Sequence, residues 1–148
     1  GFDLGQVGQI HQVHYKIINT LCSNGFIPVV APVATDESGA TWNVNADTAA
    51  GEIAAALQVQ KLIFLTDTPG LLRDQDDPGS LIHQVTFKEV EELTSRGILA
   101  GGMIPKIEAC HKALDYGVSS THIIDGRVPH ALLIELFTQT GVGTLVTL

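Results

Sequence analysis

The sequence is poor in cations. Eight Lys and Arg stand against sixteen Asp and Glu, for a net charge of −8 over 148 residues. That balance argues against a nucleic-acid surface or an anionic membrane face. It does not argue against a phosphate ligand, which a few local lysines and backbone N–H groups suffice to hold. Cysteine is equally scarce. Cys22 and Cys110 form no Cys-x-x-Cys pair, and two lone thiols fit a reducing compartment better than a disulfide framework. Aromatics make up 5% of the chain. No apolar run reaches the ~18–20 residues that a membrane span needs, and no signal peptide is visible. No Walker A loop is present, and "GVGTL" near the end lacks the third glycine of a dinucleotide fingerprint. His11 and His14 stand three apart, which is poor spacing for two ligands on one strand face. No metal site is expected. The first residue is Gly rather than Met, so further residues are expected upstream.

What remains is one domain's worth of chain, 45% hydrophobic, with 15 glycines and no internal repeat. Short β-rich runs, 25–33 (GFIPVVAPV), 61–66 (KLIFLT), 120–125 (STHIID) and 143–148 (GTLVTL), alternate with helical stretches at 14–23, 47–58, 86–95, 103–116 and 129–137. Such alternation predicts an α/β domain with a mainly parallel sheet. KLIFLT has no polar alternation and reads as a strand buried on both faces. Residues 34–44 read as a hairpin and 73–80 as an exposed loop with a turn at Asp77-Pro78-Gly79-Ser80. KEVEELTSR (88–96) reads as a solvated helix face. In open sheets of this kind, ligands bind beyond the carboxyl ends of the strands.

Three stretches carry polar groups suited to that position. In WNVNADTAAGEIAAAL (42–57), Asn43 and Asn45 share a face if the backbone is extended, and Asp47 continues the row into a helix. Two amides and a carboxylate there suit a polar ligand, and the amides are able to donate to a ligand carboxylate. The plainer reading makes Asp47 a helix cap and the asparagines turn residues. KLIFLTDTPGLL ends its strand in Thr66-Asp67, either a ligand edge or simply a strand followed by a turn. In AGGMIPKIEACHKAL (100–114), Gly101 and Gly102 precede a helix that carries Lys106 one turn inside. Close backbone approach, free N–H groups and a lysine together suit an anion. The alternative has Gly97 or Gly101 closing the preceding helix and Lys106 solvated.

Taken together, DLGQVG, GFIPVVAPV, WNVNADTAAGEIAAAL, KLIFLTDTPGLL, GILAGGMIPKIEA, HIIDGRVPHALLIELFT and GVGTLV resemble the amino-acid kinase family, and within it the acetylglutamate kinases. NVNADTAAG with GGMIPK is the specific part. The resemblance covers nearly the whole chain and runs to the carboxyl-terminal half of such enzymes. The other half, with its glycine-rich turn and a further lysine, is not matched. The resemblance implies a three-layer αβα fold with a mainly parallel open sheet, lacking the amino-terminal lobe. It implies transfer of the γ-phosphoryl of ATP, bound with Mg2+, to the side-chain carboxylate of N-acetyl-L-glutamate in arginine biosynthesis, with this portion alone incomplete for catalysis.

Residue by residue, the resemblance assigns Lys106 to the transferring phosphoryl group and Asp47 to organising lysines. It assigns Asn43 and Asn45 to the acylated amino acid, and Thr66, Asp67, Gly101 and Gly102 to the nucleotide. His122, Glu135 and Gly141 match an L-arginine effector site found in some members. A homo-oligomer, a cytoplasmic location (plastid in a photosynthetic eukaryote) and, in some members, a PII-type signal protein as partner are further implications. Two other readings stay open: a kinase for another small carboxylate or carbamate, and a non-catalytic nucleotide-binding or interaction module.

Overall fold

The computed structural model describes residues 7–99 and 101–148. Residues 1–6, which include most of DLGQVG, and Ala100 at the head of AGGMIPK lie outside them. The elements are α1 (Tyr15–Ser23), β1 (Val33–Thr35), β2 (Thr41–Asn43), α2 (Ala46–Leu57), β3 (Lys61–Thr66), a 3-10 turn (Pro78–Ser80), β4 (Gln84–Thr86), α3 (Phe87–Ser95), α4 (Met103–Asp115), β5 (Ser120–Asp125), α5 (Ala131–Phe137) and β6 (Thr144–Thr147). The main sheet has the order β3-β5-β6-β4. β3 runs parallel to β5 and β4 parallel to β6, and the two pairs join through an antiparallel β5–β6 contact. The expected α/β architecture with a mainly parallel sheet is present.

β5 is the centre of the layering. Its β-branched sequence STHIID is buried at every position, and alternate residues face opposite ways. Ile123 packs with Ile107, Cys110 and Leu114 of α4. His122, on the other face, is bonded to Glu135 of α5. One strand therefore carries a helix on each side, which is the three-layer arrangement. Burial pushes the Cys110 thiol up to about 11, so it behaves as a small core hydrophobe.

α2 lies along α4 on a face of small residues, Gly51, Ala54 and Ala55 among them. α3 starts on a capping box. The Thr86 hydroxyl accepts from the Glu89 N–H, and the Glu89 carboxylate accepts from the Thr86 N–H. Gly97, at φ +71°, then closes the helix by donating to Thr94. In the 73–80 loop, the turn at Pro78 is held by the Gly79 N–H on Asp77 Oδ1.

Three expectations need correction. GFIPVVAPV is not a strand, since only Val33 enters a ladder. Pro28 and Pro32 lack the N–H that a ladder requires. Phe26, Ile27, Val29 and Val30 are exposed, Val29 at 96%. KLIFLT is a strand, but not one buried on both faces. It stands at the edge of the sheet, with only Phe64 fully buried and Leu65 58% exposed. β4, three residues long, went unread in the sequence. The KEVEELTSR helix is also half core, because Val90 and Leu93 are buried.

The 34–44 hairpin turns on one side chain. Asp36 accepts from the Ser38 and Ala40 N–H groups, from the Ser38 hydroxyl and from the Trp42 indole. Led by the Ser38 and Trp42 side chains, these bonds hold its carboxyl down to about 2. A depressed carboxyl supports the fold above its unfolded value of 3.8 and loses that support as pH falls towards about 2. Fluorescence of Trp42, the sole tryptophan, should therefore report a transition centred near the lower value. Asp36→Asn should abolish it; a midpoint near 3.8 in the wild-type chain would show that the hairpin does not hold this charge.

Candidate active site

α2 leads into β3, and α4 into β5, through short turns. Each helix precedes its strand, so the amino ends of both helices lie at the carboxyl end of the parallel β3–β5 pair. By that order Asp47, Lys106 and the carboxyl end of β3 at Thr66 share one side of the sheet. Asn43 is the last residue of β2 and is exposed. Asn45, not Asp47, is the cap of α2: its Oδ1 accepts from the Thr48 N–H at 3.0 Å. This corrects the reading of Asp47 as the cap. Asp47 sits in the first turn, one residue inside the helix, with its carboxylate free to turn outward.

Lys106 takes that carboxylate. Its Nζ donates to Asp47 Oδ2 at 2.8 Å, across 59 residues of sequence. The two side chains keep 18% and 22% of their surface accessible. The pair is thus screened from bulk water on most sides yet reachable from one. Gly102 caps α4 without a side chain, and Gly101 before it adopts φ +61°. A Cβ at either glycine would meet nothing within 4 Å. Open space therefore lies beside these two glycines, while in the first turn of α4 the Ile104 N–H is taken by the Gly101 carbonyl and Pro105 has none.

Thr66 ends β3 and Asp67 follows it, and Thr66 lies opposite Asp125 in the parallel register. The Thr66 hydroxyl reaches Asp67 Oδ1 at 3.3 Å. A group that sequence reasoning missed stands beside them. The Arg127 Nε and Nη2 donate to the two oxygens of Asp125 at 2.9 and 2.8 Å. Those bonds hold the Asp125 carboxyl below the usual range. They raise the guanidinium in turn, and Asp67 adds to that. The strand-end acid in HIIDGR was the available signal, the same one that marked Asp67. Two surface cavities lie elsewhere. One of about 350 Å³ runs between Pro28–Pro32, α2 and β3, and the other lies against α3 with Arg73 and Arg96 on its wall. Neither is lined by Asp47 or Lys106.

His122, Glu135 and Gly141 are brought together on the opposite face of β5. His122 Nδ1 donates to Glu135 Oε1 at 2.7 Å, and the Val142 and Gly143 N–H groups donate to Oε2 at 2.8 and 3.1 Å. Lys61 and Ser120 extend the chain, with Ser120 Oγ 3.2 Å from His122 Nε2. Gly141 is left-handed at φ +63°, and a Cβ there would collide with the Glu135 carboxylate. Burial pushes the Glu135 carboxyl upward, but hydrogen bonds from His122, Val142 and Gly143 outweigh it, and the group sits below its ordinary 4.5.

Leaving a buried donor unpaired costs about 1–3 kcal/mol, and loss of the Glu135 carboxylate leaves His122, Val142 and Gly143 without their acceptor. Glu135→Ala should lose that much in urea unfolding at neutral pH. Because the folded value is depressed, the carboxylate's contribution stands in full above 4.5 and drains away as pH falls further. Glu135→Gln should accordingly flatten the acid limb of the stability profile. A cost below about 1 kcal/mol for Glu135→Ala would mean that the pair is not holding the 141–143 loop.

The amino acid kinase family model matches residues 1–125. The chain is 56% identical over 143 residues to the acetylglutamate kinase of Nostoc sp., covering 97% of this chain and 48% of that one. It is 54% identical over 144 residues to that of Moorella thermoacetica, covering 97% and 49%. It therefore spans about half the length of these relatives. Among solved structures, the N-acetylglutamate synthase from Neisseria gonorrhoeae, complexed with coenzyme A and L-arginine, superposes with a TM-score of 0.88 at 28% identity, over 99% of this chain and 34% of that one. The Giardia lamblia carbamate kinase bound to AMP-PNP shares the fold, with a TM-score of 0.67 at 23% identity over 91% and 44%. The chain belongs to the amino acid kinase family.

Proposed function

We propose that this chain is the nucleotide-side half of a phosphotransferase that moves the γ-phosphoryl group of ATP to the side-chain carboxylate of N-acetyl-L-glutamate. The observation that carries the reading is the Lys106–Asp47 hydrogen bond at the carboxyl end of the sheet, with the Asn43–Asn45 amides immediately before it in the chain. The naming of the Nostoc and Moorella relatives as acetylglutamate kinases supports the choice of substrate.

Phosphoryl transfer asks a protein mainly to hold two anions in line and to neutralise charge on the equatorial oxygens. Lys106 is placed for the second task. Asp47 fixes its ammonium, so the charge needs no reorganisation. Thr66 and Asp67 at the end of β3 border the nucleotide. Asn45 spends its carbonyl on the helix and keeps its NH2 group for the acceptor, with Asn43 alongside. The acceptor carboxylate is ionised at neutral pH, so Asp47 has no proton to remove. Mg2+ arrives with the nucleotide and shares the phosphate charge. The effector reading puts L-arginine near His122, Glu135 and Gly141, in keeping with the arginine held by the Neisseria synthase. A guanidinium there would have to take the place of donors already on Glu135.

The test joins this segment to the amino-terminal half of the Nostoc acetylglutamate kinase and assays acyl-phosphate formation from ATP with N-acetyl-L-glutamate, glutamate, aspartate and carbamate. Turnover with N-acetyl-L-glutamate is expected, and Lys106→Ala should cost roughly 10²–10³-fold, mainly in kcat. Turnover only with another acceptor would replace the substrate. The segment by itself should bind Mg·ATP in calorimetry with little turnover. ATP binding by the segment without turnover in the joined protein would favour a non-catalytic module, and a folded segment that ignores ATP would remove the kinase reading.

A further inference from the structure

The α2–α4 packing holds more than a helix pair needs for stability. Its contacts run in register. Asp47 meets Lys106, Gly51 meets Ala109, and Ala54 clusters with Ala113. Both helices step by three or four residues, so one face of each meets the other along its length. At the middle contact there is no room for a side chain. A Cβ on Gly51 would stand 2.9 Å from the Ala109 Cα and Cβ and 3.0 Å from its carbonyl oxygen. Two of those atoms are backbone, so α4 itself would have to move away. Next to it, Lys112 pairs with Glu52 at 3.3 Å and lies over the Tyr116 ring. That contact ties the two helices at the residue after the glycine on α2 and one turn beyond Ala109 on α4.

We infer that Gly51, with the Glu52–Lys112 pair next to it, sets the separation of α2 and α4 and so aims Lys106 at the position it holds on Asp47. Gly51 is a positioning residue, since it touches neither the ammonium nor any reacting atom. A glycine in a helix interior costs about 1 kcal/mol relative to alanine. Its presence in the run ADTAAGEIAAAL, among six alanines, is accounted for by the close approach rather than by helix formation. The lysine stem is flexible, so a small shift of α4 is partly absorbed. A larger one is not, and displacements near 1 Å in a reacting constellation cost on the order of 10²-fold. The inference rests on the proposed role of Lys106 in catalysis, but the geometry that it describes does not.

The test reads Lys106 directly. The chain has five lysines, at 16, 61, 88, 106 and 112, so side-chain NMR of 13C/15N-lysine protein resolves each, with Lys106→Arg giving the assignment. In the wild-type chain the Lys106 signal should stand apart from free lysine, and Asp47→Asn should return it there. Gly51→Ala should move it part of the way and Gly51→Val further, with the circular dichroism of the fold retained. Alanine favours the helix, so Gly51→Ala remains measurable even if Gly51→Val does not fold. In the active joined protein, Gly51→Ala should lower kcat roughly tenfold or more with KM for ATP nearly unchanged. A folded Gly51→Ala chain whose Lys106 signal stays at the wild-type position overturns the inference. Failure to bind or turn over ATP would sink the kinase reading and leave the NMR result standing.

Discussion

One hydrogen bond, between the Lys106 ammonium and the Asp47 carboxylate, joins the two helix ends on which the site is built. Its stabilising effect on the fold is small. Ion pairs that keep water access contribute about 0–1 kcal/mol, and this pair keeps roughly a fifth of each side chain open. α2 and α4 would pack without it, through Gly51, Ala54, Ala109 and Ala113. The dependence therefore runs the other way: close packing of two small-residue faces places two opposite charges within bonding distance at the rim of the sheet. The Lys106 ammonium is thereby directed at Asp47 before any ligand arrives.

The wider electrostatics follow from where the few cations stand. An acidic chain repels anions on average, yet at the carboxyl end of β3 and β5 the local balance differs. Lys106 stands at the amino end of α4, and Arg127 follows the end of β5. Asp47 and Asp125 each take one cation and fix its direction rather than simply cancelling it. Helix amino ends add partial positive charge within their first turn. The parallel pairing of β3 with β5 delivers this arrangement, since it places two strand ends and the starts of two helices on one side of the sheet.

Much of this was legible in the sequence, and the rest was illegible for identifiable reasons. KLIFLT and STHIID announced strands through their β-branched apolar runs, and both appear with the expected bounds. NVNAD and GGMIPK announced a polar rim. The division of labour between Asn45 and Asp47 was not readable, because either residue type caps a helix well. The choice fell to whichever side chain had a distant partner, and Lys106 lies 59 residues away. GFIPVVAPV misled because composition suggests a strand while its two prolines and the edge position of β3 leave it unladdered. The Asp125–Arg127 fork and the Lys61–Ser120–His122–Glu135 chain depend on side-chain directions that spacing does not encode.

β5 separates two acid–base pairs of opposite character, and the contrast decides what each is for. His122 and Glu135 keep only 6% and 5% of their side-chain surface, and both Glu135 oxygens are occupied by donors. Breaking that pair strands a charge in a medium that cannot solvate it, so its cost falls on the fold. Asp47 and Lys106 remain within reach of water, which would rehydrate either group if its partner were lost, so the fold would feel little. The geometry of that charged pair is set by the collision-limited helix contact behind it. At the carboxyl rim of a parallel strand pair, charge neutralisation of a bound anion is the task we propose for that geometry.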